Sequence, residues 1–292
     1  MLTHILDILV PIYVTVILGY ILGRRGFPWP ARPMVPLILQ IAVPCLIASH
    51  FAKQTSIPPG LFKVMISAAI IVTTLFVLFY ILLRLFRIKR RIYLAAASLQ
   101  NMSVGLALGL LGFGDAGFAL ALAYASVILV VQFTLGWWIP EERINFKRFF
   151  QQVTIYGITI GLVLMFVQIQ PPSYVDRLLM LIGNMAIPLL LLSLGFSLAA
   201  IKVEKMALAF IMSTIHLVVC LGIGLTVAVL MDLQGDAFII VILFSILPSS
   251  TINILMASEA GVDMPPLTIF VFCTNIWLVI TLPVALVLLL PS

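Results

Sequence analysis

The chain has 292 residues, of which 63% are hydrophobic and 9% are charged, and its mean hydropathy is +1.27. A soluble domain carries roughly 25% charged residues, so this composition excludes a soluble globular protein and indicates an integral membrane protein. The formal net charge of +6 comes from basic residues in short loops beside apolar segments. This placement indicates membrane topology and contact with anionic lipid rather than nucleic-acid binding.

Apolar segments close to the roughly 20 residues that cross a bilayer as a helix follow one another along the whole chain. They lie at 5–23, 34–52, 61–86, 93–113, 116–139, 151–169, 175–200, 205–230, 237–257 and 266–290. We therefore predict an all-α integral membrane protein with ten transmembrane helices, five in each half. The loops between the segments are too short to form a separate soluble domain.

The distribution of basic residues predicts the orientation of these helices. The first apolar segment has no basic residue before it and is followed by Arg24 and Arg25, so we expect a retained helix and not a cleaved signal peptide. With ten spans, every Lys and Arg except Lys53, Lys63 and Arg177 falls on the same side as Arg24. Because basic residues accumulate on the cytoplasmic side, we expect a multi-pass protein of the cytoplasmic (inner) membrane with both termini outside.

The sequence also contains a weak repeat at about half of its length. The first copy reads Gln40-Ile-Ala-Val-Pro44, and the second reads Asn184-Met-Ala-Ile-Pro188, so each half places an amide side chain four residues before a proline. With five spans per copy, the second copy must enter the membrane in the opposite orientation. We predict an inverted repeat with a first unit at 1–145 and a second at 146–292.

The fourth span of each half carries polar residues at its centre. In the first half the stretch is Gln100-Asn101-Met-Ser103-Val-Gly105, and in the second it is Pro248-Ser249-Ser250-Thr251-Ile-Asn253. Proline lacks an amide hydrogen and clashes with the carbonyl four residues earlier, so Pro248 should break its helix. Irregular backbone at this depth persists only against protein or a wet cavity, so two breaks at matching positions predict an internal polar site.

Each break also creates the N-terminus of a half-helix, where unpaired amides and the helix dipole favour an anion. Two such ends facing each other would bind a carboxylate. The alternative is ordinary helix packing, because small and polar residues also occur at helix contacts in membranes. The symmetric placement of the two interruptions favours a site, whereas we interpret the pairs Gly105/Gly109 and Gly157/Gly161 as packing positions.

These residues together resemble the auxin efflux carrier family, which includes plant auxin exporters and bacterial permeases for malonate and related organic acids. The resemblance covers nearly the whole chain and rests on the stretch Gly19 to Gly26, Pro44, the stretch Asn101 to Gly105, Pro188 and Pro248. Family members usually carry Asn-x-x-x-Gly-Leu-Pro in the fourth span. Here Ala107 replaces the proline of that motif.

The resemblance implies a fold like that of bile-acid transporters and sodium/proton antiporters. Of the ten transmembrane spans, spans 1, 2, 6 and 7 would form a scaffold. Spans 3–5 and 8–10 would form a transport domain in which the broken helices of spans 4 and 9 cross. It also implies elevator-like alternating access and a homodimer formed through the scaffold. The implied substrate-binding residues are Asn101, Ser103, Gly105, Pro248, Ser249, Ser250, Thr251 and Asn253, with Gln40 and Asn184 facing the crossing from the scaffold.

The mode of energy coupling stays open at this stage. No Asp or Glu falls near the predicted membrane midplane. An ionisable group within a span is a candidate for function, which makes His216 and Glu259 the candidates for coupling or gating. The alternative for His216 is a histidine satisfied by a neighbouring helix. Coupling to H⁺, coupling to Na⁺ and uniport are all compatible with the sequence.

Other motifs give no sign of an enzyme. The segment Gly112 to Gly117 matches a dinucleotide fingerprint but follows a membrane helix instead of a strand, and Cys45, Cys220 and Cys273 lack the spacing of a metal site or disulfide framework. Because no nucleophile, zinc or phosphate-loop motif is present, we expect no catalysis, cofactor or bound metal. The sequence thus predicts a secondary transporter of a small organic anion, with a membrane sensor or channel on the same scaffold as the alternative.

Overall fold

The computed structural model describes residues 2–201, 206–262 and 264–290, and within these ranges every regular element is a helix. Two of the lysines counted on the basic side, Lys202 and Lys205, lie outside the described residues. The helices of the first half are α1 (Leu2–Arg24), α2 (Ala31–Leu37), a π-helical turn (Ile38–Ala42), α3 (Val43–Ala52), α4 (Leu61–Leu85), α5 (Arg90–Ser98), α6 (Met102–Gly112), α7 (Gly114–Gln132) and α8 (Leu135–Glu141).

The second half begins with a short linking helix. Its helices are α9 (Phe146–Phe150), α10 (Val153–Val167), α11 (Ser173–Gly183), α12 (Ala186–Ala199), α13 (Met206–Leu230), α14 (Gly235–Ser245), α15 (Ile252–Glu259) and α16 (Met264–Leu289). The repeated proline motif marks an irregularity in both halves. The π-helical turn ends two residues before Pro44, and α12 begins two residues before Pro188. Both irregularities follow from the missing amide hydrogen of proline, which leaves the carbonyl four residues earlier without its helical partner.

Seven helical stretches in the described part of the chain are long and apolar enough to cross a membrane. They are Thr3–Arg24, Met34–Ala52, Leu61–Leu85, Gly114–Glu141, Ser173–Ala199, Met206–Leu230 and Met264–Leu289. The other three predicted spans are shorter or divided. The sixth corresponds to the 15 residues of α10, and the fourth and ninth are each split into two helices. The protein is therefore an all-α, multi-pass membrane protein.

Close helix packing depends on glycine at two interfaces. Helix α1 packs along α12, where a Cβ added to Gly195 would lie 2.9 Å from the Cα of Gly19. Helix α10 packs on α3, where a Cβ added to Gly161 would lie 3.1 Å from the Cα of Ala48. Both pairs of helices come together at distances that larger residues would prevent, as is common between helices in membranes.

The remaining helices form a second set of contacts. Helix α4 packs against α5, α7 and α13, while α6 packs on α7 and α13 packs on α16. Helix α6 also contacts α1 and α12 and so joins the two sets. Large apolar side chains such as Leu208, Val229 and Leu288 are exposed on the outer faces, as expected for surfaces that contact lipid tails.

Candidate functional site

Two helix interruptions lie at the centre of the fold. Helix α5 ends at Ser98 and α6 begins at Met102, while α14 ends at Ser245 and α15 begins at Ile252. Between α5 and α6 the backbone is extended, with φ −116° and ψ 113° at Leu99. The interruptions are located at the polar stretches that the sequence marks out in its fourth and ninth spans.

The two interruptions pair with each other. The amide N of Asn101 donates to the carbonyl O of Pro248 (2.8 Å), and the amide N of Ser250 donates to the carbonyl O of Leu99 (3.1 Å). Gln100 and Ser249 thereby form an isolated antiparallel bridge. Each break leaves backbone groups without helical partners, and this pairing satisfies part of them away from lipid.

Two half-helices begin at this crossing. The Asn101 Oδ1 accepts a hydrogen bond from the amide of Ser103 (3.0 Å) and so caps α6. The Ser250 Oγ accepts from the amide of Ile252 (3.3 Å) at the start of α15. The positive ends of two helix dipoles therefore meet near the centre of the protein, which favours a negative charge there.

A narrow crevice, with room for about one water molecule in this conformation, adjoins the crossing. Its polar lining residues are Gln100, Ser103, Gln132 and Ser250, and its apolar lining residues are Leu39, Val43, Met102, Leu106, Ile128, Leu129, Leu190 and Ile252. Only 2% of the Gln100 surface is exposed, and neither its amide nitrogen nor its amide oxygen has a protein partner. A buried amide without partners is costly, so its surroundings are suited to a polar ligand or water.

Two glutamines of this site were not among the predicted residues. Gln100 directly precedes Asn101 in the polar stretch, and this position could have identified it as a site residue. Gln132 lies at the end of α7, far from both stretches in sequence, and its Nε2 donates to the Oδ1 of Asn253 (2.7 Å). Asn253 is thus held in a buried amide pair and is less available to a ligand than Gln100.

The other predicted residues at the crossing have separate positions. Pro248 contributes its carbonyl to the pairing, and the Ser249 amide N donates to the Oγ1 of Thr274 (3.2 Å) in α16. Gly105 faces a neighbouring helix, since a Cβ at this position would lie 2.8 Å from the ring of Phe244. Thr251 lines a larger cavity that continues from the crossing.

This larger cavity has a volume of about 400 Å³ and a mostly apolar lining. The cavity is lined by the end of α1 and the segment after it, by the end of α12, and by α15 and α16. Representative lining residues are Gly23, Phe27, Trp29, Phe196, Ala200, Thr251, Leu255, Ser258 and Thr268. Ile252 lines both this cavity and the crevice. A wide apolar cavity thus leads to a small polar site.

Gln40 and Asn184 do not line the crossing. The Gln40 Oε1 accepts a hydrogen bond from the amide of Val153 (2.7 Å), and its Nε2 donates to the Oε1 of Gln152, so Gln40 caps the start of α10. Asn184 is exposed at the joint between α11 and α12. The repeat places both amides at helix irregularities, but their partners differ because only one of them faces the free N-terminus of another helix.

Neither ionisable candidate lines the crevice or the larger cavity, although His216 hydrogen-bonds to the backbone of Ala97, one residue before the end of α5. His216 is buried in α13, stacks on Phe79 with ring centroids 5.7 Å apart, and meets Phe270 edge-on at 5.6 Å. These contacts fit the alternative of a histidine held by neighbouring helices. Glu259 lies at the end of α15 and pairs with the Nη2 of Arg148 at 2.7 Å.

Comparison with known families adds one match. The family model described as "Membrane transport protein" matches residues 142–286, from just before α9 into α16. No curated protein matches the chain. The family match supports the resemblance inferred from the sequence. The family match implies a membrane transporter and is consistent with a protein that is not an enzyme.

Proposed function

We propose that the protein is a secondary transporter that moves a small organic anion across the cytoplasmic membrane by elevator-like alternating access. The observation that carries this proposal is the pairing of two interrupted helices beside a buried, unpartnered Gln100. Discontinuous helices with their N-terminal ends at the centre are how many transporters hold an anionic substrate group at mid-membrane.

The chemistry of the crossing favours a carboxylate. Two helix N-termini supply partial positive charge, and Gln100, Ser103 and Ser250 supply amide and hydroxyl donors. Among the described residues, none that lines the crevice carries a charge. A single carboxylate is therefore held by dipoles and hydrogen bonds, and the apolar cavity accommodates the remainder of the molecule.

The proposal includes a ten-span, 5+5 inverted repeat. In this arrangement α5 with α6 forms the fourth span, α10 the sixth, and α14 with α15 the ninth. The irregularities before Pro44 and Pro188 support the repeat, because they recur at matching places in the two halves. Spans 1, 2, 6 and 7 form the scaffold and carry the contact of a homodimer, and the remaining spans move.

A large cavity on one side of the protein and a close aromatic contact on the other side support alternating access. The large cavity is lined by Gly23, next to Arg24 and Arg25, which lie on the proposed cytoplasmic side. Toward the opposite side, His50 of α3 meets Phe118 of α7 edge-on with ring centroids 4.7 Å apart. In the proposed mechanism this conformation faces inward, and movement of the crossing past the scaffold opens the other side.

Uptake into proteoliposomes tests the proposal. Purified protein is reconstituted, and a panel of radiolabelled carboxylates is offered with and without imposed pH or Na⁺ gradients, with empty liposomes as the control. We expect saturable uptake of at least one carboxylate and competition by other carboxylates but not by amines. The gradient that drives accumulation identifies H⁺ or Na⁺ as the coupling ion. Uptake that does not saturate would indicate a channel, and binding without uptake would indicate a sensor.

A further inference from the structure

A second large cavity, of about 710 Å³, shares no lining residue with the two spaces described above. It is formed by the end of α4, the start of α5, α8 and the segment after α15. Lys89, Arg90 and Arg91 line it together with Tyr80, Trp138 and Glu142. It lies at the basic loop between α4 and α5, on the same proposed side of the membrane as Arg24.

The charge in this cavity is unbalanced. Lys89, Arg90 and Arg91 are at the N-cap and in the first turn of α5, where cations oppose the helix dipole and the first backbone amides have no helical acceptor. Glu142 is the only acidic side chain among the described lining residues, and its Oε2 lies 3.8 Å from Nη1 of Arg91. An anion bound here would offset both the side-chain charges and the dipole.

The three basic residues have different partners. The Arg91 Nε donates to the carbonyl O of Pro140 (2.6 Å), and its Nη2 donates to that of Ala260 (2.9 Å), so Arg91 fastens α5 to the ends of α8 and α15. The Arg90 guanidinium lies over the ring of Tyr80, 4.8 Å from its centroid, and keeps its N–H donors for other partners. Arg90 and Lys89 are therefore the residues best placed to hold a ligand.

The surface beside the cavity is strongly apolar. Leu85 and Phe86, at the end of α4, are 71% and 67% exposed, and Ile81 is exposed one turn earlier. Tyr80 and Trp138 border the cavity, as aromatic residues do at the level of lipid headgroups. A ligand that fits both surfaces has an anionic head and apolar tails.

We propose that this cavity binds the headgroup of an anionic phospholipid, with Lys89 and Arg90 contacting the phosphate and the acyl chains lying along the exposed end of α4. Basic pockets between membrane helices on the cytoplasmic side are suited to such headgroups. The bound lipid links the end of α4 to the start of α5 and neutralises a charge cluster that the described protein residues leave uncompensated. The proposal depends on the membrane location of the chain and is independent of transport.

Lipid binding to the purified protein tests this site. Protein in a neutral detergent is titrated with dioleoylphosphatidylglycerol, dioleoylphosphatidylcholine or inorganic phosphate, and the rise in Tm gives the apparent affinity. The variant Lys89→Gln/Arg90→Gln is compared with Arg24→Gln/Arg25→Gln, which removes the same charge on the same side outside the cavity. Arg91 stays unchanged because its hydrogen bonds hold helix ends together.

We expect phosphatidylglycerol to raise Tm at lower concentrations than either other probe. Its apparent affinity should fall roughly thirtyfold in Lys89→Gln/Arg90→Gln and stay near the wild-type value in Arg24→Gln/Arg25→Gln. An equal response to phosphatidylcholine, or an equal loss in both variants, would overturn the site. An equal response to inorganic phosphate would mean that the cavity takes a free anion instead. If the double variant fails to fold, the single variant Lys89→Gln is used instead. Native mass spectrometry then counts the phosphatidylglycerol molecules that this variant and the wild type retain, and equal counts would also overturn the proposal.

Discussion

Gln100 is a buried amide whose nitrogen and oxygen have no protein partner. An unsatisfied buried polar group costs about 1–3 kcal/mol, so folding stability alone would favour an apolar residue at this position. The Asn101 Oδ1 caps α6 and the Ser250 amide pairs with Leu99, but the Asn101 Nδ2 is, like the amide of Gln100, buried without a protein partner. We therefore propose the amide nitrogens of Gln100 and Asn101 as donors to the substrate.

The substitution Gln100→Leu should separate binding from stability. We expect the KM for uptake to rise at least tenfold, because a donor to the carboxylate is lost, while Tm stays level or increases because an unpartnered amide is removed. Gln132→Leu is the matched control. It breaks the hydrogen bond to Asn253 inside the site and should lower Tm as well as uptake. A Tm loss in Gln100→Leu as large as in Gln132→Leu would show that Gln100 is structural.

At the scale of single residues, the sequence identifies where polarity occurs but not where side chains point. Asn101, Ser249 and Ser250 could be placed at the crossing because polar residues are rare in apolar spans. Gln132 could not, because it ends a long helix and reaches the site only through tertiary packing. Gln40 and Asn184 lie outside the crevice in this conformation, because repeat symmetry relates positions along the chain without relating their partners.

At the scale of helices, the two interruptions form by different means. Pro248 interrupts the second, whereas the first contains no proline, and Ala107 is fully buried inside α6. The first interruption is instead fixed by the Asn101 cap and by backbone pairing with the other stretch. A count of spans by length omits both divided spans, because each half-helix has only 8 to 11 residues.

The substitution Pro248→Ala tests whether the second interruption is needed for transport. Alanine restores an amide that can continue the helix, so the pairing with Leu99 and Asn101 should weaken. We expect uptake to fall at least tenfold with normal expression. Pro283→Ala, in the interior of α16, is the matched control and should keep uptake near wild type. Wild-type uptake by Pro248→Ala would show that pairing alone maintains the crossing.

Close packing between α3 and α10 is a separate property of the helices. A Cβ at Gly161 would lie 3.1 Å from the Cα of Ala48, whereas one at Gly222 would have no neighbour within 4 Å. We expect Gly161→Leu to lower Tm by several degrees, because α10 must move away from α3, and Gly222→Leu to leave Tm nearly unchanged. Thermal unfolding in detergent measures both. Equal Tm values for the two variants would contradict tight contact at this interface.

At the scale of the whole molecule, a large cavity extends from Thr251 at the crossing to Gly23 at the end of α1. Ser258 lines this cavity and is partly exposed, while Ser67 in α4 is fully buried. The native cysteines, Cys45, Cys220 and Cys273, all lie within apolar helices. A cysteine introduced in the cavity therefore reports from which side water reaches the crossing.

The variant Ser258→Cys should react with a membrane-impermeant maleimide at least tenfold faster in inside-out than in right-side-out vesicles. The reason is that the cavity is lined by the end of α1 next to Arg24, which is cytoplasmic in the proposed topology. Ser67→Cys should stay unlabelled from both sides, and a saturating transported carboxylate should slow the labelling of Ser258→Cys by occupying the cavity. Faster labelling in right-side-out vesicles would reverse the proposed orientation. Equal labelling from both sides, unaffected by substrate, would indicate a continuous pore and contradict alternating access.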